Sequence, residues 1–147
     1  MARENYRTLA KEAYSALGEL NKLVHHASIE AWLVHLVFLR ASQLNGCAYC
    51  VDAHTYEALA EGETPRRLYN LTVWRETPFF SARERAALAR AEAMTRLPIE
   101  HPDEALHDET RRQFSEKEFV GLTFAIATIN ALNRVGAGFQ GRPAKRG

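Results

Sequence analysis

A stretch of eight residues in the first third of the chain constrains the fold more than any other part. Residues 32–39 read Trp-Leu-Val-His-Leu-Val-Phe-Leu, so a helix here has no polar face except at His35. A helix that is apolar on all sides has to be enclosed on all sides. Because large apolar patches are rare on the surface of a monomer, the simplest prediction is that a second subunit covers this helix. The alternative is a central helix that other helices of the same chain cover.

The rest of the sequence also reads as helices joined by short turns, with no convincing alternation of the strand type. Apolar residues recur at spacings of three and four from residue 8 to residue 26, as in an amphipathic helix. Two Ser-x-x-Glu capping boxes, at residues 81–84 and 115–118, indicate helix starts. The pattern predicts an all-α bundle in a single domain, residues 1–147, with a flexible tail from about residue 140. The predicted helices are residues 8–26, 29–44, 47–61, 65–73, 82–96, 102–114 and 116–135.

Composition and charge exclude several classes of protein. A chain of 147 residues with 46% hydrophobic and 25% charged residues can bury the core of one globular domain. The formal net charge is +1 and no basic stripe stands out, so a nucleic-acid-binding protein is not predicted. The run at residues 32–39 is too short to cross a bilayer, and the charged N-terminus lacks the apolar core of a signal peptide. We therefore expect a cytoplasmic protein with no membrane partner.

The segment that most narrows the function is Cys47-Ala-Tyr-Cys50, followed by His54. In a helix, at about 100° per residue, these three side chains fall within an arc of about 60°. A thiol reacts as its thiolate, which a helix N-terminus and a nearby proton acceptor favour. A second thiol three residues away can then capture the oxidised sulfur as a disulfide. Asp52 and Glu57 lie off this face of the helix, and we expect them to be solvated.

Three interpretations of Cys47, Cys50 and His54 stay open on the residues alone. The first is a redox dithiol in which His54 moves protons, since a lone cysteine pair in the cytoplasm is more often redox-active or metal-binding than structural. The second is a zinc site, but a fourth ligand would have to come from a distant histidine or acidic residue. The third is a set of buried cysteines and a histidine that line up by chance. The joint placement of all three groups directly after a turn favours the redox dithiol.

Residues 39–55, Leu-Arg-Ala-Ser-Gln-Leu-Asn-Gly-Cys-Ala-Tyr-Cys-Val-Asp-Ala-His-Thr, resemble the signature of a known family. This is the alkylhydroperoxidase D-like branch of the carboxymuconolactone decarboxylase family. The resemblance implies an all-α fold whose helices interlock between the subunits of a trimer or hexamer. It covers nearly the whole chain, because it continues through residues 62–64, 67–69, 74–79, 84–89 and 129–134.

The resemblance also implies a role for each site residue. Cys50 would attack a hydroperoxide and become a sulfenic acid, Cys47 would resolve it as a disulfide, and His54 would relay the proton. An external dithiol, lipoyl-linked in the type enzyme, would reduce the disulfide, and no bound cofactor or metal is implied. The implied function is a thiol-dependent peroxidase of antioxidant defence. One alternative is a thiol–disulfide oxidoreductase with a non-peroxide oxidant, and another is a redox-sensing or structural oligomer. A lactone decarboxylase is a poorer choice, because that chemistry does not use the cysteine pair.

The chain departs from the family pattern twelve residues before the first cysteine. The family usually has a glutamate there, as part of the proton relay, and this chain has His35. A carboxylate would accept a hydrogen bond from His54 and raise its basicity, whereas an imidazole brings no negative charge. Tyr49 likewise stands where the type enzyme has a second histidine. We therefore expect weak or redirected peroxidase activity, with His35 either a core histidine or a member of a modified relay.

Overall fold

The computed structural model describes residues 5–26, 28–97, 99 and 101–145, and these form helices and turns without a strand. The predicted all-α fold is therefore confirmed. A 3-10 helix at Leu71–Glu76 follows the fifth of the eight α-helices. These are α1 (Tyr6–Leu9), α2 (Lys11–His26), α3 (Ala31–Asn45), α4 (Ala48–Ala60), α5 (Pro65–Tyr69), α6 (Ala82–Thr95), α7 (Glu104–Gln113) and α8 (Glu116–Gly138).

The apolar helix α3 lies at the centre of the bundle. Its side chains from Leu33 to Ser42 are all buried, and α4, α6 and α8 pack around it. A single chain thus provides the enclosure that an all-round apolar helix requires. The alternative prediction, a central helix that other helices of the same chain cover, is therefore confirmed. The apolar surface of α3 gives no reason to expect that a second subunit covers it. The homo-oligomer itself, a trimer or hexamer, stays a prediction.

Helix α8 forms the second long element of the core. Leu122, Ala125, Ile126 and Ile129 are fully buried against the rest of the bundle. Within the described part of the chain, α8 is also the one helix that is long and apolar enough to cross a membrane by length and composition. Of its most apolar 18-residue stretch, 39% is buried inside the protein. The core helix of a soluble protein meets the same criteria. The cytoplasmic location stays a prediction.

Several helix boundaries differ from the predicted ones. The helix predicted at residues 8–26 is broken at Ala10, and the one predicted at residues 65–73 continues as a 3-10 helix with a non-helical Val73. Both capping boxes are confirmed, since the hydroxyls of Ser81 and Ser115 accept hydrogen bonds from backbone N–H groups three residues on. Residues 141–145 of the predicted tail have no regular structure, and residues 146–147 lie outside the described residues.

The turn between α3 and α4 sets the position of the cysteine pair. Gly46 ends α3 in the left-handed conformation, with φ of 65°, which a glycine adopts without steric cost. The N–H of Cys47 donates to the carbonyl of Ser42 at 3.1 Å, closing the end of α3. Cys47 is at the same time the N-cap residue of α4. The predicted turn therefore places the first cysteine directly at a helix N-terminus.

Candidate active site

The two cysteines are joined at the start of α4. Cys47 precedes the helix, Cys50 lies in its first turn, and their sulfurs form a disulfide with the Cα atoms 5.3 Å apart. The helix brings residues three positions apart to the same side, so the pair can bond without a change of backbone. Helix N-termini also stabilise negative charge, which favours a thiolate when the pair is reduced.

Helix α8 closes over the disulfide at Gly136. A Cβ atom at this position would lie 3.0 Å from Sγ of Cys47 and 3.4 Å from Sγ of Cys50. The missing side chain therefore lets the backbone of α8 approach the sulfurs closely. Only 1% of Cys47 and 5% of Cys50 are exposed. In this conformation of the single chain the sulfurs are buried.

The N-terminal helix α1 is held against the same region by aromatic contacts. The guanidinium of Arg7 donates to the hydroxyl of Tyr49 at 3.2 Å and lies over the Tyr49 ring at 5.9 Å from its centroid. Tyr6 stacks on Phe139, just after α8, with 4.8 Å between the ring centroids. Tyr49, which stands at the place of a second histidine in the type enzyme, thus anchors α1 beside the cysteine pair.

His54 lies one helical turn after Cys50 and is buried. Its Nδ1 is 2.8 Å from Oε2 of Glu57, which is on the next turn of α4. The expectation that Glu57 is merely solvated was incomplete: 47% of its side chain is exposed, yet its carboxylate hydrogen-bonds the buried imidazole. The spacing of three residues between them, which places side chains side by side on a helix, was the sequence signal for this pair.

The structure brings His35 to the same carboxylate from α3. Its Nδ1 lies 3.5 Å from Oε2 of Glu57, but this buried nitrogen has no hydrogen-bond partner among the described residues. The imidazoles of His35 and His54 hold the pKa of the Glu57 carboxyl well below its usual range. A carboxylate therefore does lie beside His54, carried by α4 rather than by α3. We expected weak peroxidase activity because His35 replaces the usual glutamate and no carboxylate was expected beside His54. That reason does not hold, because the carboxylate of Glu57 lies there.

A cleft of about 380 Å³ opens on the solvent side of these three residues. His35 and Glu57 line it together with His25 and His26 from the end of α2. The rings of His25 and His35 lie 4.8 Å apart. Neither cysteine lines this cleft. It therefore gives solvent access to the His35–Glu57–His54 cluster and not directly to the sulfurs.

A second buried carboxylate lies elsewhere around α3. Glu92 on α6 is 1% exposed and accepts hydrogen bonds from Nε of Arg40 at 2.8 Å and from Nε1 of Trp74 at 2.9 Å. Arg75 pairs with its other oxygen. Arg40 follows His35 by five positions, which places it about 140° further around the helix. This Glu92 cluster is therefore separate from the histidine cluster and joins α3, α6 and the 3-10 helix.

Comparison with known proteins assigns the family. Residues 11–93 match the carboxymuconolactone decarboxylase family. The chain is 34% identical to the uncharacterised protein YdfG of Bacillus subtilis over 144 residues, which cover 98% of both chains. A protein of unknown function from Agrobacterium tumefaciens, considered a candidate antioxidant defence protein AhpD, is also 34% identical; the match covers 99% of this chain and 100% of that one, with a TM-score of 0.95.

A third similar protein has a different activity. The debrominase Bmp8 is 26% identical, with a TM-score of 0.83 over 94% of this chain and 75% of that chain. Possession of this fold therefore does not by itself fix the reaction. The resemblance found in residues 39–55 is confirmed by these matches. The chain belongs to the carboxymuconolactone decarboxylase family, in its alkylhydroperoxidase D-like branch.

Proposed function

We propose that this protein is a cytoplasmic thiol-dependent peroxidase that reduces organic hydroperoxides in antioxidant defence. One observation carries the proposal: the bonded pair Cys47–Cys50 lies one turn before His54, whose Nδ1 is 2.8 Å from a carboxylate at the solvent cleft. The arrangement supplies two thiols, a proton acceptor and a route for the proton to solvent. Similarity to a candidate antioxidant defence protein supports the same activity.

In the first step the Cys50 thiolate attacks the terminal oxygen of the hydroperoxide. A sulfur–oxygen bond forms, the oxygen–oxygen bond breaks, and the leaving alkoxide takes a proton to become an alcohol. His54 accepts the thiol proton of Cys50 beforehand and returns it to the alkoxide, as a general base and then a general acid. Glu57 stabilises the protonated imidazole, because its carboxylate lies within hydrogen-bonding distance.

In the second step the Cys47 thiolate attacks the sulfenic sulfur of Cys50. The disulfide forms, the sulfur–oxygen bond breaks, and the departing hydroxide takes a proton to leave as water. An external dithiol then reduces the disulfide and is itself oxidised to a disulfide. Both sulfurs are buried and α8 approaches them closely at Gly136, so we expect the end of α8 to move aside to admit either reactant.

The test is peroxide consumption with several dithiol donors, run beside free-thiol counting. The native protein should consume an organic hydroperoxide and lose two thiols per chain. Cys50→Ser should abolish turnover, whereas Cys47→Ser should react once and stop at the sulfenic acid, which a dimedone adduct detects by mass. Full turnover by Cys50→Ser would show that the assignment of the attacking cysteine is wrong.

A second candidate is the thiol-dependent reduction of a substrate other than a peroxide. The similarity to the debrominase Bmp8 favours it, since a cysteine-to-alanine variant of that protein was solved with 2,3,4-tribromopyrrole. The burial of the sulfurs also fits a substrate that has to be admitted selectively. Release of bromide from tribromopyrrole by the reduced protein, with no peroxide consumption, would select this candidate.

We also propose that the chain works as a homo-oligomer, a trimer or a hexamer. Val120 and Phe124 support it, because they lie four residues apart on α8 and are 48% and 58% exposed. Light scattering on the native protein and on Phe124→Arg tests this, and a native protein that runs as a monomer at micromolar concentration would contradict it.

A further inference from the structure

We propose that His35, His54 and Glu57 form a binding site for a divalent transition metal of the zinc type. The three side chains offer two imidazole nitrogens and one carboxylate oxygen, and these ligand atoms all lie within 4.8 Å of one another. Two of the three residues are buried, so the site is held by the packing of α3 against α4. The cysteines are not part of it.

The distances are close to those that a metal requires. Oε2 of Glu57 lies 2.8 Å from Nδ1 of His54 and 3.5 Å from Nδ1 of His35. A tetrahedral zinc ion with bonds of about 2.0 to 2.1 Å sets its ligand atoms roughly 3.3 Å apart. The three ligand atoms lie within 4.8 Å of one another, so small rotations of both imidazoles and of the half-exposed Glu57 side chain would bring them to one ion without a change of the backbone.

A second observation is the environment of Nδ1 of His35, whose polar neighbour at this site is the Glu57 carboxylate at 3.5 Å. Its Nδ1 is buried and makes no hydrogen bond within the described chain. Buried polar atoms are nearly always satisfied, so such an atom calls for an explanation. A coordination bond through the lone pair of the neutral imidazole would satisfy it. The same nitrogen already faces the carboxylate at 3.5 Å, as a shared ligand would place it.

The cleft supplies access and a further coordination position. It is lined by His35 and Glu57, and the ring of His25 lies 4.8 Å from that of His35. Nδ1 of His25 is occupied by the carbonyl of Asn21 at 2.8 Å, which leaves Nε2 as the nitrogen with the free lone pair. Three protein ligands with an open fourth position are typical of an exchangeable zinc site. Imidazole and carboxylate ligands also favour zinc-type ions over Mg²⁺ and Ca²⁺, which prefer oxygen.

Metal binding has a consequence for the proposed peroxidase, and this part rests on that function. A metal bound to His54 and Glu57 occupies the groups that would accept and pass on the thiol proton. The metal-bound protein should therefore be inactive toward peroxide, and removal of the metal should restore activity. Binding itself does not depend on which reaction the protein catalyses.

The experiment titrates the oxidised protein with zinc chloride in a calorimeter, because the intact Cys47–Cys50 disulfide removes the thiolates as competing ligands. We expect one equivalent of zinc per chain. His35→Gln and Glu57→Gln should each weaken binding at least tenfold. The control is His107→Gln. His107 is an exposed histidine whose Nδ1 lies 3.4 Å from the carboxylate of Asp108, and this variant should bind zinc like the native protein. Cobalt absorption reports the coordination of each variant separately.

Two results would overturn the proposal: no saturable zinc binding by the oxidised protein, or binding that both His35→Gln and Glu57→Gln leave unchanged. Circular dichroism shows that the variants are folded, and Glu57→Gln covers the case in which the buried His35 does not tolerate replacement. If zinc binds but peroxide turnover continues at saturating zinc, the inhibitory role is wrong. If no peroxidase activity exists at all, the calorimetric result still decides the metal site.

Discussion

The carboxylates of Glu92 and Glu57 both contact cationic or imidazole side chains beside α3, but their surroundings differ. Glu92 is 1% exposed, and Arg40, Trp74 and Arg75 satisfy its two oxygens. Glu57 is about half exposed, faces a cleft, and shares its Oε2 between a hydrogen-bonded His54 and a His35 nitrogen that has no hydrogen-bond partner. The Glu92 cluster is closed, since its carboxylate is buried and both oxygens have partners, whereas the Glu57 cluster is open to the solvent cleft.

On our proposal, this difference separates a structural cluster from a functional one. A fully hydrogen-bonded buried carboxylate fixes the elements that donate to it and has no capacity left for a ligand. A carboxylate at a cleft, beside two imidazoles, can exchange protons with solvent or accept a metal. Substitutions in the two clusters should therefore have different effects on stability and on turnover.

The largest effect is expected for Glu92→Ala. It leaves the buried guanidinium of Arg40 and the indole N–H of Trp74 without their acceptor, so the free energy of unfolding should fall by about 3 to 5 kcal/mol. Glu57→Ala removes a half-exposed carboxylate and should change it by less than about 1 kcal/mol. Urea denaturation measures both, and equal losses would remove the distinction between the two clusters.

The next effect is on turnover. Glu57→Gln keeps the shape of the side chain but removes the charge that stabilises protonated His54, so kcat/KM for peroxide should fall about ten- to hundredfold, less than the loss of a general base itself. The matched control is Glu61→Gln, because Glu61 lines the same cleft but is outside the histidine cluster. A comparable loss in both variants would point to the charge of the cleft rather than to the relay.

Acid should weaken the closed cluster. Burial raises the pKa of Glu92, but the hydrogen bonds from Arg75, Trp74 and Arg40 outweigh it and hold the pKa below the ordinary 4.5. A depressed pKa stabilises the fold above pH 4.5, and this stabilisation is lost as the pH falls from there through the folded-state value. Stability measured between pH 6 and pH 3 should therefore fall in the native protein and in Glu57→Gln, and fall less in Glu92→Gln. An unchanged acid slope in Glu92→Gln would contradict this.

The smallest effect is expected for Arg75→Ala. The Arg75 side chain is 53% exposed; without it, Arg40 and Trp74 still donate to Oε1 of Glu92, and Nη1 of Arg96 remains 3.8 Å from Oε2. The free energy of unfolding should fall by about 1 kcal/mol, less than in Glu92→Ala, because the Arg75 partner of this pair is solvated. A loss as large as that of Glu92→Ala would mean that the buried carboxylate depends on its exposed partner.

Much of the fold could be predicted from the sequence, because short local patterns determine where many of the helices begin and end. The capping boxes at Ser81 and Ser115 and the turn at Gly46 are local patterns with one structural solution, and each is found as predicted. The enclosure of α3 was different, since periodicity shows that a helix is buried without showing what buries it.

The candidate site was predicted in part, for a similar reason. Cys47, Cys50 and His54 are close in sequence, and the helix pitch alone puts them together. The contact of Glu57 with His54 follows from their spacing of three residues on α4, but the approach of His35 to within 3.5 Å of Glu57 depends on the packing of α3 against α4. A contact between two helices cannot be obtained from the spacing within either one.

The sulfur pair, the imidazole and the carboxylate all belong to residues 47–57, at and after the start of one helix. Their mutual spacing is therefore set by helical pitch, and the surrounding bundle has little part in it. The helices that cover the sulfurs, by contrast, decide which molecules arrive there. Substitutions in those outer helices would therefore change the access to the pair, while the spacing of the four groups stays as the helix sets it.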